Sequence, residues 1–413
     1  MLLTDADRAV LAGESGVAAQ TALELVVAAG EAVGAPALLD ISRAHIDGCL
    51  YHGLAGLDFA ERLVESGATV AVPTTLNISS LDLLHPELNQ GDPEEGRRSR
   101  AQMEAYVAMG CVPTWTCAPY QLPDPPALGE QIAWGESNAI VFANSVLGAR
   151  TNRYGDFLDI CCALTGRAPA VGLHTDEGRR ATVQIDVEVP DHWLDEDLLY
   201  VGLGHVLGKV TGTEVAVITG LDERAHPDRL RQLGATAAST GAVGLFHVAG
   251  VTPEAATVEE ALGGGDPPHV VPVGRDEIEA ALTSLGSSTS PLGAVSVGTP
   301  HASLREIETL AAACSGKETQ VPFYVSTGRE VLAAAEQSGV AATVVDFGAR
   351  FVTDTCTYVA PIMGDVTGAV MTNSGKWAYY APGNLGVEVV MGSLTDCVES
   401  AVRGEVVASG RLG

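Results

Sequence analysis

Residues 294–314 read AVSVGTPHASLREIETLAAAC, and this stretch contains the pattern on which the rest of the chain is built. Its first part, 294–300, is a short apolar and β-branched run ending in Gly-Thr-Pro, which is typical of a buried strand. Its second part, 302–314, has the apolar spacing of a helix, and Ser303 and Glu306 predict a capping box at the helix start. We therefore predict a strand followed directly by a helix.

The same alternation of strand and helix continues on both sides of this stretch. Further strand-like runs lie at 37–42, 69–76, 139–145, 213–220, 322–327 and 343–348. Helix-like patterns lie at 18–33, 57–67, 276–286 and 329–339. The segment 181–190 alternates with period two, which predicts a half-exposed antiparallel or edge strand. The alternation as a whole predicts an α/β fold with largely parallel sheets.

The length of 413 residues favours two or three packed domains. A polar loop at 85–100 and a Ser/Gly-rich hinge at 286–293 interrupt the alternating pattern. We predict three α/β domains with approximate boundaries: 1–160, 161–290 and 291–413.

The net charge is 23 − 52 = −29, which argues against binding to a nucleic-acid backbone. Three lysines stand against twenty arginines, so the acidity is either an adaptation to a salt-rich cytoplasm or a compositional bias. The N-terminus lacks the basic region of a secretory signal. The longest uncharged stretch, 232–253, contains Gly, Ser and His and predicts a buried turn and strand instead of a membrane helix. We expect a cytoplasmic protein without a membrane partner.

Eight cysteines occur without a CxxC pair, so neither a disulfide framework nor a zinc ribbon is expected. Most of them fit small buried hydrophobic positions. Cys117, between Pro113 and Pro119, and Cys356, in Thr-Asp-Thr-Cys, lie in irregular segments and are either metal ligands or buried thiols. Two such thiolates would suit an iron–sulfur cluster with one iron left open for substrate.

Arg150 and Arg153 lie in a polar segment with three further candidate ligands: Asn144, Ser145 and Asn152. Guanidinium groups bind carboxylates or phosphates with two parallel hydrogen bonds, so the segment predicts a substrate-binding role. The alternative is a buried ion pair of an arginine with Asp156 or Asp159.

Lys376 follows Asn-Ser-Gly at the end of a predicted strand, where a glycine turn can present a cation and Ser374 can contact a ligand. The spacing does not match a nucleotide P-loop. His45 beside Asp47 predicts either an oriented acid/base pair or a structural pair. His301 is expected to serve mainly as a capping or supporting group.

Seven phrases of the sequence carry a resemblance to a known family. They are SRAHIDGCLYHG (42–53), VPTTLNISSLD (72–82), PTWTCAPYQ (113–121), IVFANSVLGARTNRYGD (140–156), VGTPHASLRE (297–306), FVTDTCTYV (351–359) and TNSGKWAYYAPG (372–383). In this order they resemble the aconitase X subclass of the aconitase superfamily, and the resemblance covers essentially the whole chain.

The resemblance implies a hydro-lyase built from the three α/β domains of an aconitase-type catalytic subunit. It also implies a small subunit with a swivelling domain that carries the catalytic base, a serine. Because the chain ends at Gly413 without such a domain, we expect it to be the large subunit. Family activities are dehydration of cis-3-hydroxy-L-proline and of mevalonate 5-phosphate. Hydroxyproline is favoured here because cations are scarce, and a catalytically weak binding or scaffold relative is the other alternative.

The resemblance implies an iron site with cysteines from three motifs, of which Cys117 and Cys356 match. The third motif usually reads Gly-Cys-Pro-His, but Thr299 occupies the cysteine position here. A neutral oxygen donor in place of a soft thiolate leaves a four-iron cluster in doubt, with a two-iron cluster, a mononuclear iron or a degraded site open. We expect Cys117, Thr299 and Cys356 to converge on one site.

The remaining roles follow from the same resemblance. As catalytic residues we expect His45, Asp47, Ser145 and Lys376. As ligands of a small hydroxy-acid substrate we expect Asn144, Arg150, Asn152 and Ser374.

Overall fold

The computed structural model describes residues 1–265, 269–407 and 412. Residues 266–268 of the predicted second domain, and 408–411 and 413 of the predicted third, lie outside the described residues. The chain divides into two compact units. The first unit comprises residues 1–81 and 92–180, and the second unit comprises 82–91 and 181–413.

The first unit contains six helices and five strands among the residues that are described. The helices are α1 (Asp5–Leu11), α2 (Val17–Ala32), α3 (Leu54–Glu65), α4 (Pro93–Ala108), α5 (Ser137–Phe142) and α6 (Leu158–Thr165). The strands are β1 (Leu38–Asp40), β2 (Ala44–Ile46), β3 (Thr74–Leu76), β4 (Ala133–Trp134) and β5 (Arg167–Pro169). A parallel sheet has the order β3-β2-β4, and β1 pairs with β5 in an antiparallel ribbon. The central strand β2 therefore carries His45 between its two neighbours.

The second unit contains the remaining elements of the described chain. The helices are α7 (Asp197–Thr211), α8 (Pro227–Thr240), α9 (Val258–Ala261), α10 (Arg275–Leu285), α11 (Leu304–Cys314), α12 (Arg329–Ser338), α13 (Val340–Asp346), α14 (Gly375–Leu385) and α15 (Leu394–Arg403). The strands are β6 (Val183–Val187), β7 (Ala216–Thr219), β8 (Phe246–Val248), β9 (Val270–Val273), β10 (Leu292–Ala302), β11 (Phe323–Thr327), β12 (Ala349–Val352), β13 (Ala369–Thr372) and β14 (Glu388–Met391).

Two parallel sheets organise the second unit, with the orders β8-β7-β6-β9 and β12-β11-β10-β13-β14. The long strand β10 lies at the centre of the five-stranded sheet, whose core includes Val295, Phe323 and Met371. Helix α14 approaches α8 closely at Gly375, where an added Cβ would lie 2.3 Å from Thr236 Oγ1. Only glycine permits this contact. The α/β class with largely parallel sheets is confirmed.

Two predicted strands are helices in the structure. Residues 139–145 lie in α5 and in a π-helical turn, Ala143–Leu147, and 343–346 belong to α13. Both segments are short apolar runs, and such runs do not distinguish a buried strand from a buried helix. Ile140 and Val141 illustrate the ambiguity, because both side chains are buried although the backbone is helical.

The prediction for 181–190 was correct in its half-exposed pattern, since buried and partly buried residues alternate along β6, but it was wrong in the pairing, because β6 is an inner strand that is parallel to both of its neighbours. Its alternating polar residues are bound within the sheet instead of facing solvent fully. Gln184 donates to Asp186 at 2.7 Å, and Asp186 accepts from Thr219 at 2.7 Å. The period-two pattern therefore reflects polar pairing on one face of a parallel sheet.

Two loop predictions were incomplete. The polar segment 85–100 enters α4 at Pro93, after Asp92 accepts the backbone N–H of Glu94 at the helix start. The uncharged stretch 232–253 contains the second half of α8 before the predicted turn and strand β8. Among the described residues, no helix is both long and apolar enough to cross a membrane.

Candidate metal and substrate site

The Gly-Thr-Pro-His motif lies in the irregular last part of β10, where the register with β11 shifts between Val297 and Ala302 and the chain turns locally. Gly298 has φ of +82°, and an added Cβ would lie 2.3 Å from the carbonyl oxygen of Ser326 on β11. Any other residue would be strained and would collide with the neighbouring strand. The predicted capping box is confirmed, because Ser303 and Glu306 exchange hydrogen bonds at the start of α11. Glycine and capping box fix the chain on both sides of Thr299 and His301.

His301 is fully buried and is the group that brings this turn together with Cys356. Its Nε2 lies 3.0 Å from the carbonyl oxygen of Thr355, and because a carbonyl oxygen can only accept, Nε2 carries a proton and donates it there. A ring nitrogen of His301 and Cys356 Sγ lie within 4.8 Å of each other. An imidazole and a thiolate at this separation can ligate one metal ion.

The loop that carries Cys356 is anchored on both sides of the strand end. Asp354 accepts two hydrogen bonds from Arg329, at 2.5 and 2.7 Å, and the backbone N–H of Thr353 donates to Asp82 at 2.8 Å. Asp354 itself adopts a positive φ of 62°. These contacts hold a fully buried thiol at the end of β12.

Thr299 is buried, and its Oγ1 has no hydrogen-bond partner within the described part of the chain. An unpartnered buried hydroxyl costs about 1–3 kcal/mol, so such an atom calls for a ligand that the protein itself does not supply. The hydroxyl occupies the position where the family motif usually has its cysteine. Its predicted role as a metal ligand stays a prediction.

The predicted cationic site at the start of α14 is buried in the second unit. Ser374 caps this helix by accepting the backbone N–H of Trp377 at 3.1 Å. Lys376 is 3% exposed, and its Nζ lies 5.9 Å from the centre of the Tyr358 ring. A buried ammonium with an aromatic neighbour can bind the carboxylate of a small acid.

A cavity of about 200 Å³ lies beside the β10 turn in the same unit. Its walls include Gly298, Arg305, Gln232 and Asn373. Gln232 Oε1 and Asn373 Oδ1 are buried without a hydrogen-bond partner in the portion of the chain that is described. The cavity thus offers two hydrogen-bond acceptors and a guanidinium group to a small polar molecule.

Cys117 lies in the first unit, in the irregular segment after Trp115, which has a positive φ of 45°. The residue is buried, and its carbonyl oxygen accepts a hydrogen bond of 3.0 Å from Asn138 Nδ2. Its convergence with Thr299 and Cys356 stays a prediction.

His45 and Asp47 have separate partners in the first unit. His45 Nδ1 lies 2.8 Å from Thr75 Oγ1, whereas Asp47 accepts a hydrogen bond from Asn77 Nδ2. Burial lowers the pKa of His45 to about 3, so its imidazole is neutral at physiological pH. The predicted roles of both residues stay predictions, with His45 restricted to the chemistry of a neutral ring.

Asp159 organises the backbone around Asp47. The carboxylate accepts the backbone N–H groups of Asp47 at 2.7 Å, of Gly48 at 3.4 Å and of Ile160 at 2.6 Å. Burial raises the pKa of Asp159 to about 7, against an ordinary value of 3.8. The sequence indicated Asp159 only as an alternative partner for an arginine.

The polar segment 144–153 is held by its own hydrogen bonds. The Asn144 side chain bonds the backbone of Thr151 at 2.9 and 3.0 Å and accepts from Arg179 at 3.0 Å. Asn152 bridges to Val171 and Leu173 at 2.9 and 2.8 Å. These two amides shape the segment, and their predicted contacts with substrate stay predictions.

Arg150 forms an ion pair with Asp176, with Nη2 2.6 Å from Oδ1. The alternative pairing of an arginine of this segment with Asp156 or Asp159 stays a prediction. Its side chain is 22% exposed, whereas that of Asp176 is 84% exposed. Ser145 lies buried in the π-helical turn that precedes Arg150. The substrate-binding role of Arg150 and the catalytic role of Ser145 stay predictions.

Three family models together match most of the chain. The aconitase X first domain matches residues 1–177, the second domain 181–283 and the third domain 292–403. The chain belongs to the aconitase X family. The predicted boundaries near 160 and 290 stay predictions.

Relatives in this family are named as dehydratases, which are carbon–oxygen hydro-lyases. The chain is 46% identical to cis-3-hydroxy-L-proline dehydratase from Pseudomonas aeruginosa, with 96% of this chain and 69% of that protein covered. It is 40% identical to the enzyme of the same name from Hypocrea jecorina, with 97% and 69% covered. It is 36% identical to the phosphomevalonate dehydratase large subunit from Thermococcus kodakarensis, with 92% and 95% covered.

A solved structure supports the same assignment. The holo-form crystal structure of Thermococcus kodakaraensis aconitase X matches with a TM-score of 0.88 at 35% identity. The match covers 97% of this chain and 100% of that chain. This aconitase X member therefore has the fold of a solved aconitase X protein.

The residues of this chain fit the metal group that the family implies. His301 and Cys356 supply a nitrogen and a sulfur donor within 4.8 Å, and Thr299 adds a buried hydroxyl without a protein partner. Imidazole and thiolate suit iron, zinc and iron–sulfur centres. From the sequence, His301 is assigned only a supporting role, although a histidine two residues after the expected ligand position is a signal for direct ligation.

Proposed function

We propose that this aconitase X chain is the catalytic large subunit of a dehydratase whose substrate is cis-3-hydroxy-L-proline. The structural observation that carries the proposal is the buried pairing of His301 with Cys356 at the ends of β10 and β12. The substrate follows from the relatives that are 46% and 40% identical, both named for this reaction. Water is lost from such a substrate as the C3 hydroxyl and the C2 proton.

His301 and Cys356 would hold the metal group, with Cys117 and Thr299 as further proposed ligands. We propose iron, either as a cluster of two or four irons or as a mononuclear centre. When bound, an iron with an open coordination position supplies Lewis acidity toward the leaving hydroxyl. Thr299 gives the site one neutral donor in place of a thiolate, which favours lower nuclearity.

The cationic residues of the chain would hold the substrate. The Lys376 ammonium, nearly excluded from solvent, is placed to bind the carboxylate of a small acid. Arg150 offers a guanidinium group that is already oriented by Asp176. Ser145, Asn152 and Ser374 would add hydrogen bonds, and a site from which water is excluded strengthens each of these contacts.

Proton handling within the chain would involve His45 and Asp47. Since burial lowers the pKa of His45 to about 3, its neutral imidazole can orient a hydroxyl by hydrogen bonding, but it neither takes up a proton nor acts as an imidazolium acid near pH 7. Asp47, oriented by Asn77, is the carboxylate of this pair. We assign neither residue the abstraction of the C2 proton, which the family resemblance gives to a serine of the swivelling domain.

We propose that a small swivelling-domain subunit completes the site. In Thermococcus kodakarensis the relative is named a large subunit, and this chain covers 95% of it. In Pseudomonas aeruginosa about a third of the relative lies outside the part that this chain matches, since 69% of it is covered. The swivelling domain would supply the base and exclude water from the site.

Dehydration of mevalonate 5-phosphate is the second candidate function. It is favoured by the near-complete coverage of several relatives named phosphomevalonate dehydratase large subunit, which are 32–37% identical to this chain. A phosphorylated substrate requires a denser cationic pocket than a carboxylate does. Lysines and arginines together number 23 against 52 acidic residues, and this scarcity of cations favours the hydroxyproline reaction.

The test is a substrate assay on the chain co-purified with an aconitase X swivelling-domain polypeptide after iron reconstitution. Loss of one water from cis-3-hydroxy-L-proline, followed by mass spectrometry, with none from mevalonate 5-phosphate, would support the proposal. The reverse pattern would establish the second candidate. Iron binding without turnover of either compound would favour the binding or scaffold alternative.

A further inference from the structure

Arg231 on α8 is one of the largest fully buried side chains of the protein, and it reaches the turn that carries His301. Its Nη1 donates to the carbonyl oxygens of Pro300, at 2.6 Å, and of His301, at 3.1 Å. Its Nη2 contacts the Glu306 carboxylate. Arg231 is 2% exposed. The helix that bears it lies in the segment matched by the second-domain family model, whereas the turn lies in the third.

A buried guanidinium is stable only when its donors are bound and its charge is paired. Here Nη1 binds both backbone carbonyls, and the charge is paired through Nη2 with Glu306 and, at 3.7 Å, with Asp228. Glu306 also accepts the backbone N–H of Ser303 at 2.9 Å, so the same carboxylate caps α11. Arg231 therefore fixes the backbone on both sides of His301, from Pro300 to the start of α11.

His301 is therefore held both by its backbone and by its side chain. Its backbone is bound by Arg231, and its Nε2–H is bound by the carbonyl of Thr355, the residue before Cys356. The two contacts together restrict the position of the imidazole relative to Cys356. Groups that orient a metal ligand in this way commonly change metal affinity about 10–100-fold when they are removed.

We propose that Arg231 is a positioning residue for the metal site, and this proposal rests on the proposed function. It contacts no reacting atom. Through the Pro300 and His301 carbonyls it sets the position of His301 relative to Cys356. A side chain that merely joined two parts of the second unit would contribute to stability without changing the metal affinity of the folded protein.

The experiment compares wild type with Arg231→Met and Arg231→Lys in the full chain. Arg224→Met is the matched control, because Arg224 lies in the same segment but pairs at the surface with Asp191 and Asp222. Each protein is titrated with Co²⁺, whose absorption reports ligand number and geometry, well below its measured melting temperature. Release of iron to a chelator is followed in parallel.

We expect Arg231→Met to bind Co²⁺ about 10–100-fold more weakly and to show an altered absorption spectrum. Arg231→Lys should fall between, since an ammonium keeps the charge but lacks the second nitrogen with which the guanidinium binds Glu306 while Nη1 binds the two carbonyls. Arg224→Met should bind like wild type. A lowered melting temperature with unchanged Co²⁺ affinity and spectrum would overturn the proposal in favour of a purely structural role.

A folded Arg231→Lys protein provides the readout should Arg231→Met fail to fold. Unaltered binding by that lysine variant would then overturn the proposal. If the wild-type chain binds neither Co²⁺ nor iron, the metal site of the proposed function is wrong and this proposal is overturned with it. If the wild type binds metal and the Arg231 variants bind it equally well, only the positioning role of Arg231 is overturned, and the proposed function is unaffected.

Discussion

The Nε2 atom of His301 lies 3.0 Å from the carbonyl oxygen of Thr355, the residue that immediately precedes Cys356. This hydrogen bond joins the end of β10 to the loop after β12 and selects one tautomer of the imidazole. Metal-bound histidines commonly donate their second ring N–H to a carbonyl or carboxylate in this manner. The relationship is therefore the one expected of a ligand that is prepared for its metal.

Replacing His301 or Cys356 with alanine should remove bound iron. Loss of a direct ligand should weaken iron binding by more than the about 10–100-fold typical of an outer contact. Iron content after reconstitution, measured by a colorimetric chelator, checks this prediction, and Cys117→Ala is expected to behave in the same way. Cys314→Ala is the matched control, a buried cysteine on α11. Equal iron content in all four variants would show that the metal is held elsewhere.

Thr299→Cys should raise iron content and strengthen the visible absorption of the reconstituted protein. A thiolate at this position offsets the positive charge of iron, which a neutral hydroxyl cannot do. The measurement is the ultraviolet–visible absorption spectrum after anaerobic reconstitution. Ser296→Cys, a buried substitution on the same strand, should leave the spectrum unchanged. A similar gain from both substitutions would mean that any added thiol on β10 captures iron.

Lys376→Met should impair substrate binding more than folding. A carboxylate that loses its buried cation in a dry site typically loses about 2–5 kcal/mol of binding. We therefore expect kcat/KM to fall by at least roughly 30-fold. Lys317→Met is the control, since Lys317 pairs with Glu399 at 2.5 Å and is about one-third exposed. Steady-state kinetics with the swivelling-domain partner present measure the loss of kcat/KM in each of the two variants. Equal losses would assign Lys376 a structural role.

Arg150→Ala should abolish most activity while the fold is retained, if the guanidinium binds substrate. Asp176→Asn separates this role from a structural ion pair, because it removes the charge of Asp176 from the pair with Arg150 but leaves the guanidinium in place. An exposed pair of this kind contributes about 1 kcal/mol or less to stability. We expect a large loss of kcat/KM in the first variant and a small one in the second. Comparable losses in both would indicate that the pair itself is what matters.

Asp159→Asn should change how stability depends on pH. The folded-state pKa of about 7 lies above the ordinary value of 3.8, so the folded chain retains a proton that the unfolded chain releases. The stability that Asp159 contributes is therefore present below about pH 4 and is lost as the pH rises to about 7.

Relative to wild type, the Asp159→Asn variant should gain stability between about pH 5 and 7, by on the order of 2 kcal/mol. Urea unfolding at several pH values measures this difference, in which the titration of histidines common to both proteins cancels. Asp58→Asn, at an exposed position, should follow wild type. A constant difference across this range would show that Asp159 titrates normally.

The repeating strand-and-helix pattern predicted the fold class correctly, because a parallel sheet needs a crossover helix between strands. Apolar strand runs and amphipathic helices therefore alternate along the sequence. The pattern failed where a run was too short to show a period. Residues 139–145 are buried on all sides, so helix and strand present the same composition there. Segment 181–190 was mispredicted for a different reason. Its period of two is clear, but it arises because the polar side chains of the inner strand β6 form hydrogen bonds within the sheet.

The site was predictable to the extent that its residues lie in recognisable phrases. Thr299, Cys356 and Lys376 were singled out in this way, and all three are buried in the second unit. The role of His301 depends on a carbonyl 54 residues away in sequence, and that of Arg231 on a turn 69 and 70 residues away. Spacing along the chain holds no information about such contacts.

All eight cysteines are buried, five in the first unit and three in the second, and none forms a disulfide among the described residues. Burial raises the pKa of Cys111, Cys161 and Cys314 to about 12, and an un-ionised, inaccessible thiol does not react with alkylating reagents. Alkylation of these positions therefore requires the chain to open around them. Mass spectrometry of partly alkylated protein can thus record which unit opens first, because the native cysteines of each unit serve as the probes.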